Sequence, residues 1–180
     1  VDLHDEKKVV EILKNTEIRL EKPEKSKQVC DVYMDGKEIA DQLFSSSIDC
    51  ASSVIAVHPK VRKYLVNLQQ KIAEGQSVVM EGRDIGTVVL PKADLKIYMT
   101  ADQKVRAKRK WQMLKKKGET KSFDEVLEDV KERDKRDKTK GGLKQAEDAW
   151  VLDTSNLTLE EEIEIIIKRL KKMDLVKTND

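Results

Sequence analysis

From residue 77 onward, short apolar runs that stop at a charged residue or a glycine alternate with long amphipathic stretches. This alternation limits the fold more than any other feature of the chain. Ser77-Val78-Val79-Met80-Glu81, Leu95-Lys96-Ile97-Tyr98-Met99 and Trp150-Val151-Leu152 read as three strands, the last ending at Asp153. Segments 102–117 and 123–138 read as helices, and a last helix follows Thr158, with an apolar face of Ile163, Ile166, Ile167 and Leu170. Ser122 with Glu125, and Thr158 with Glu161, have the spacing in which hydroxyl and carboxylate cap a helix start reciprocally. Strands alternating with helices predict βαβ units and a parallel sheet flanked by helices. Ligands of such sheets bind beyond the carboxyl ends of the strands, so the residues just after each run are where chemistry is expected.

The first part of the chain has a different texture. Val9, Val10, Ile12 and Leu13 lie between charges over 5–15, the pattern of an amphipathic helix. Segment 17–40 alternates more like strands, and Asp35-Gly36 is a hairpin turn signal, so a small antiparallel insert is expected. Segment 47–74 reads as two helices parted at His58-Pro59, with Gly75 ending the second. The expected organisation is a helical region with its insert over 1–76 (the insert at about 17–58), then an α/β core over 77–180 with a lid region near 118–145.

Charge narrows the function classes. Lys plus Arg number 36 and Asp plus Glu 34, so a charged fraction of 39% leaves a net charge of only +2. That balance does not mark a nucleic-acid binder. Aromatic residues, at 4%, are too few for base-stacking platforms. Cys30 and Cys50 lie in no metal-ligand pattern and read as reduced thiols of a cytoplasmic protein. No apolar run reaches membrane-span length, and the acidic, polar start is no signal peptide.

Three clusters carry candidate chemistry. Glu81-Gly82-Arg83-Asp84-Ile85-Gly86-Thr87 follows the first apolar run. An acid at the end of a hydrophobic strand is placed to orient Mg²⁺ or its waters, and Arg83 can offer a planar fork to a phosphate. Glu132-Arg133-Asp134-Lys135-Arg136-Asp137-Lys138 continues to Lys140. Arg133, Arg136 and Lys140 fall on one helical face, and Asp137 lies four residues from Arg133. Fixed cations of this kind stabilise a phosphoryl group in flight. Arg106-Ala107-Lys108-Arg109-Lys110 supplies a third basic stretch, from which a guanidinium can stack on adenine or reach polyphosphate. Each cluster alone also fits a plainer reading: a strand-to-loop turn for the first, a solvated charged helix face for the others.

In register, the clusters resemble a known family. Val79-Met80-Glu81-Gly82-Arg83-Asp84-Ile85-Gly86-Thr87-Val88-Val89 is similar to the signature loop of bacterial-type cytidylate kinases. Asp94-Leu95-Lys96-Ile97-Tyr98-Met99-Thr100-Ala101, the 106–110 stretch, Glu132-Arg133-Asp134-x-Arg136-Asp137 and Ala146-Glu147-Asp148-Ala149-Trp150-Val151-Leu152-Asp153-Thr154-Ser155 follow in that family's order. The resemblance implies an α/β, P-loop-NTPase-like fold with a monophosphate-binding insert. It implies a cytoplasmic, monomeric enzyme of pyrimidine metabolism that moves the γ-phosphate of ATP to CMP or dCMP with Mg²⁺, without nucleic acid or membrane. Ser53, Arg62 and Asp84 would read cytosine. Arg83 and Arg133 would hold the acceptor phosphate, Asp137 would meet the ribose hydroxyls, and Lys140 would stand where the family has a phosphate-contacting arginine. Arg109 would lie on the ATP side, Arg136 would reach the transferring phosphates, and Glu81 would hold Mg²⁺ through water. Gly141-Gly142-Leu143 and Phe44 depart from the family pattern.

The same resemblance implies a Gly-Lys-Ser/Thr loop, which occurs nowhere in these 180 residues. Such a loop and its strand would precede Val1, between the strands at 77–81 and 95–99 in the sheet. The expectation is that these 180 residues alone lack CMP kinase activity. Three other readings remain at this stage: a non-catalytic nucleotide-binding remnant, a kinase for another small acceptor such as UMP, and a charged helical scaffold.

Overall fold

The computed structural model describes residues 1–21, 23, 30–39, 42–43, 46–139 and 145–176, the side chains of 46, 47, 49, 50, 53 and 136–139 excepted. Two compact units make up the chain, Val1–Val78 and Val79–Asp180.

In the first unit, helix α1 (Glu6–Lys14) starts where the Asp5 carboxylate accepts the backbone N–H groups of Lys7 and Lys8. Strands β1 (Ile18–Glu21), β2 (Asp31–Met34) and β3 (Lys37–Glu38) form the expected antiparallel insert, with Ile18 opposite Met34 and Met34 opposite Lys37. Asp35 and Gly36 close the β2–β3 hairpin with φ of 51° and 79°. Positive φ at both loop residues is what a two-residue hairpin matched to strand twist requires. Helices α2 (Ser46–Ile55) and α3 (Pro59–Ala73) part at His58, as expected, with Pro at the first turn of α3. Packing of α1 on α3 is fixed at three points: His58 Nε2 to the Leu3 carbonyl at 2.9 Å, the Lys60 N–H to Glu6 at 2.8 Å, and the Tyr64 hydroxyl to the Leu13 carbonyl at 2.9 Å. Val9 and Val61 are buried between these anchors.

The second unit contains strands β4 (Ile97–Thr100) and β5 (Trp150–Asp153), paired in parallel with Ile97 opposite Trp150 and Thr100 opposite Asp153. Helix α4 (Gln103–Lys116) follows β4, α5 (Phe123–Thr139) returns against it, and α6 (Leu159–Lys172) follows β5. Both capping boxes form. Glu125 accepts from the Ser122 N–H and hydroxyl, and Glu161 does the same for Thr158. Between α4 and α5, Gly118 takes φ of 83° while its N–H and that of Glu119 bond back to Lys115 and Leu114. Gly118 is therefore a helix stop of the double-bonded, left-handed kind, a position that costs a side-chain-bearing residue strain. Trp111 meets Phe123 edge to face across this turn, with ring centroids 6.4 Å apart.

One expectation is corrected. Residues 77–81 form no strand, and Val79 is 99% exposed. A strand exists through its ladder, and among the described residues β4 pairs with β5 alone. The apolar stripe of α6 is only half covered. Ile166 and Leu170 are partly buried, Ile163 and Ile167 are exposed, and the buried residue of the helix is Glu162, at 8%. Its burial has a specific cause in the arginine described below.

Candidate active site

Of the first cluster, Glu81 leads into a bend over Gly82 to Asp84, and Ile85 to Thr87 begin a π-helical turn, Ile85–Val89. The turn hangs from one atom. The Asp84 carbonyl oxygen accepts from the N–H groups of Val88 at 2.8 Å, Thr87 at 3.3 Å and Val89 at 3.3 Å, and from the Thr87 hydroxyl at 3.3 Å. The Leu90 N–H closes the turn onto Ile85 at 2.7 Å, and Val89 is buried beneath it. Single π-turns of this kind are rare and gather at functional sites. These bonds tie the main chain together from Asp84 to Leu90; just before it Glu81 and Arg83 are exposed, and Asp84 is half-buried. Gly82 is required by close approach: a Cβ there would lie 2.8 Å from Ile85 Cγ1.

The carboxyl ends of β4 and β5 carry a second network. Thr154, buried just beyond β5, takes its N–H to the Thr100 carbonyl at 2.8 Å. Arg109 of α4 reaches this point and donates to Thr154 Oγ1 at 3.0 Å, the Thr154 carbonyl at 2.7 Å and the Leu157 carbonyl at 3.1 Å. Its guanidinium also lies 3.1 Å from Glu162, which explains why a carboxylate, not an isoleucine, is the buried residue of α6. Arg109 still has 42% of its side chain exposed, so part of the planar group stays reachable. Beside it, the Ser155 hydroxyl donates to Asp153 at 2.6 Å and accepts the Asp102 N–H at 2.7 Å. The Ser155 hydrogen bonds hold the Asp153 carboxyl below the ordinary carboxylate value.

On α5, Arg133 is exposed and its neighbour Asp134 is turned inward. Asp134 accepts both terminal nitrogens of Arg106, at 2.8 and 2.7 Å, and Gln103 Nε2 at 2.8 Å. That bidentate pair raises the Arg106 pKa still further and binds α5 to α4, so Arg106 serves the scaffold. Sequence spacing gave no sign of this pair, because its members are 28 residues apart. Arg136 and Asp137 lie on the last turns of α5, with side chains outside the described residues, as is all of Lys140, Gly141, Gly142, Leu143 and Phe44. In the first unit, Arg62 is exposed on the first turn of α3, and Ser53 lies on α2 with its side chain outside the described set.

No group of three or more His, Cys, Asp or Glu among the described residues is arranged to hold a metal by itself. A single exposed carboxylate, Glu81, fits Mg²⁺, which takes one or two protein carboxylates and completes its shell with phosphates and water. No helix among the described residues is long and apolar enough to cross a membrane.

Comparison with known proteins agrees with these motifs. The family model for cytidylate kinase matches residues 1–172. The cytidylate kinase of Caldanaerobacter subterraneus subsp. tengcongensis is 38% identical over 174 residues, covering 96% of this chain and 75% of that protein. That of Thermosipho melanesiensis is 44% identical over 142 residues, 78% of this chain and 65% of the relative. That of Alkaliphilus oremlandii is 40% identical over 173 residues, 95% of this chain and 76% of the relative. With the loop 81–89, the 132–137 run and the 146–155 run all inside the matched span, the chain belongs to the cytidylate kinase family.

Proposed function

We propose that the protein transfers the γ-phosphate of ATP to CMP or dCMP, giving ADP and CDP or dCDP, as part of pyrimidine nucleotide metabolism in the cytoplasm. The observation that carries this reading is the 81–89 turn, whose main chain is fixed at the Asp84 carbonyl while Arg83 and Glu81 stay exposed, in a chain matched by the cytidylate kinase family over 1–172. An exposed guanidinium beside a half-buried carboxylate suits a ligand with a phosphate at one end and a base with an exocyclic amine at the other.

On this reading Arg83 and Arg133 hold the acceptor phosphate. Asp84, with Ser53 and Arg62, accepts from and donates to the edge of cytosine. Asp137 meets the ribose hydroxyls, and Lys140 adds a point charge for phosphate. Arg109 lies on the ATP side, with its reachable face held still by Thr154, Leu157 and Glu162. Arg136 approaches the transferring phosphoryl group from a lid over about 118–145. When bound beside Glu81, Mg²⁺ would neutralise charge on the ATP phosphates. The enzyme acts as a monomer on two small molecules.

The test is a coupled assay of ADP release with the protein expressed from its complete reading frame, offered CMP, dCMP, UMP, AMP and GMP in turn. Turnover with CMP and dCMP well above the rest is expected. Preference for UMP or a purine overturns the base assignment, and no transfer to any monophosphate overturns the kinase reading.

A further inference from the structure

We infer that Lys96, with Asp148 as its counter-ion, is the positioning residue that holds the 81–89 turn in register for the acceptor nucleotide, an inference that rests on the kinase reading above. Lys96 enters β4, and its carbonyl accepts the Trp150 N–H at 2.9 Å, so its own backbone is part of the sheet. Its side chain is 9% exposed, an uncommon depth for lysine. The stem lies along the turn at Gly86: a Cβ there would stand 3.4 Å from Lys96 Cδ and 3.5 Å from Cγ. The ammonium emerges beyond the turn and donates to both oxygens of Asp148, at 2.9 and 2.7 Å. Asp148 sits two residues before β5, in a turn closed by the Ala149 N–H on the Ala146 carbonyl at 3.0 Å.

Each part of this arrangement has a separate task. The methylenes cover the main chain at Gly86 without adding a polar group there. Asp148 selects one direction for a stem that would otherwise sample many rotamers. Because Asp148 is two-thirds exposed, the ion pair itself adds little stability. What it fixes is orientation. Gly86 lies inside the π-turn, two residues after Asp84 and three after Arg83, and the turn is closed on the Asp84 carbonyl. Freeing the stem removes the support of the turn at Gly86, so the turn and the Asp84 carbonyl that it grips shift as one, and Arg83 and Asp84 shift with them relative to an acceptor.

Lys96→Met keeps an unbranched apolar stem and removes the charge. In the enzyme from the complete reading frame it is expected to raise KM for CMP about tenfold, within the range set by sub-ångström misplacement of a binding group. The CMP-over-UMP preference should fall with it, while KM for ATP and the thermal midpoint stay near their original values. Lys96→Arg should restore most of the loss. Asp148→Asn, at an exposed position that does not threaten folding, should shift KM for CMP the same way by a smaller factor. Hydrogen exchange gives a readout besides activity: the Val88, Val89 and Leu90 amides should exchange faster in Lys96→Met. Unchanged KM for CMP and unchanged exchange in both variants overturn the inference, as does an equal rise in KM for both substrates that merely tracks a lowered midpoint. Absence of CMP phosphorylation by the unsubstituted enzyme overturns the proposed function instead.

Discussion

Arg109 on α4 and Glu162 on α6 form an ion pair 3.1 Å long, and the same guanidinium bridges the Thr154 and Leu157 carbonyls. One side chain therefore ties two helices to the loop that follows β5. Glu162→Ala is expected to leave Arg109 short of a partner and to lower stability by about 1–2 kcal/mol, the cost of orphaning a partly buried charged group. A denaturant midpoint unchanged from the parent protein would show that the pair contributes nothing measurable.

Neighbouring positions on α5 should separate chemistry from architecture. Arg133 is exposed, so Arg133→Ala should change stability by no more than about 0.5 kcal/mol. As a proposed phosphate ligand, it should nevertheless lose roughly a hundredfold in kcat/KM for CMP. Asp134→Ala strands Arg106 and Gln103, and should cost about 1–3 kcal/mol of stability. Equal effects of the two substitutions on the unfolding midpoint would contradict the assignment.

The two glycines of the turn should differ. A Cβ at position 82 meets Ile85 Cγ1 at 2.8 Å, near the stiff, branched end of that side chain, so Gly82→Ala must displace Ile85. A cost of about 1–3 kcal/mol is expected for such overpacking. Gly86→Ala meets only the Lys96 stem at ordinary contact distance and should fold as the parent does. A thermal scan of the two variants decides this, and a larger loss at position 86 would refute it.

Acid should weaken the helix caps modestly, because the carboxylates concerned are exposed. Hydrogen bonds from the Thr158 backbone and hydroxyl hold Glu161 below its ordinary 4.5. Those from the Ser122 hydroxyl and backbone do the same for Glu125. The Lys96 ammonium holds Asp148 below its ordinary 3.8. A carboxylate with a lowered folded pKa binds fewer protons folded than unfolded, so its contribution is complete above the unfolded value and fades as pH falls through the folded one. Stability should therefore be flat with respect to these groups near neutrality and decline below about pH 4.5. Thr158→Ala should cost about 1 kcal/mol at pH 7 and soften the acid decline. An acid profile identical to the parent's would remove Glu161 from the account.

Local chemistry was legible in the sequence and pairwise chemistry was not. Ser122 with Glu125, Thr158 with Glu161, Asp35-Gly36 and His58-Pro59 all act within four residues, and each forms as read. The 77–81 run was misread because apolar composition signals a wish for burial, whereas a strand needs a neighbour that no local pattern supplies. The π-turn at Ile85–Val89 was invisible for a related reason: its closure depends on which amides share the Asp84 carbonyl. Of the candidate site, the 81–87 motif singles out Arg83 and Asp84, which lie side by side just before the Ile85–Val89 turn. The fastening of Arg109, Arg106 and Lys96 depends on partners 28 to 53 residues away and had no sequence signal.

The carbonyl at residue 84 has a corollary for base choice. Because the carbonyl, which every amino acid possesses, gathers the amides of the turn, those amides are satisfied by main chain alone. On the proposed reading, in which Asp84 meets the base, a change of that side chain would alter the preferred nucleobase without removing the main-chain bonds beside the neighbouring guanidinium.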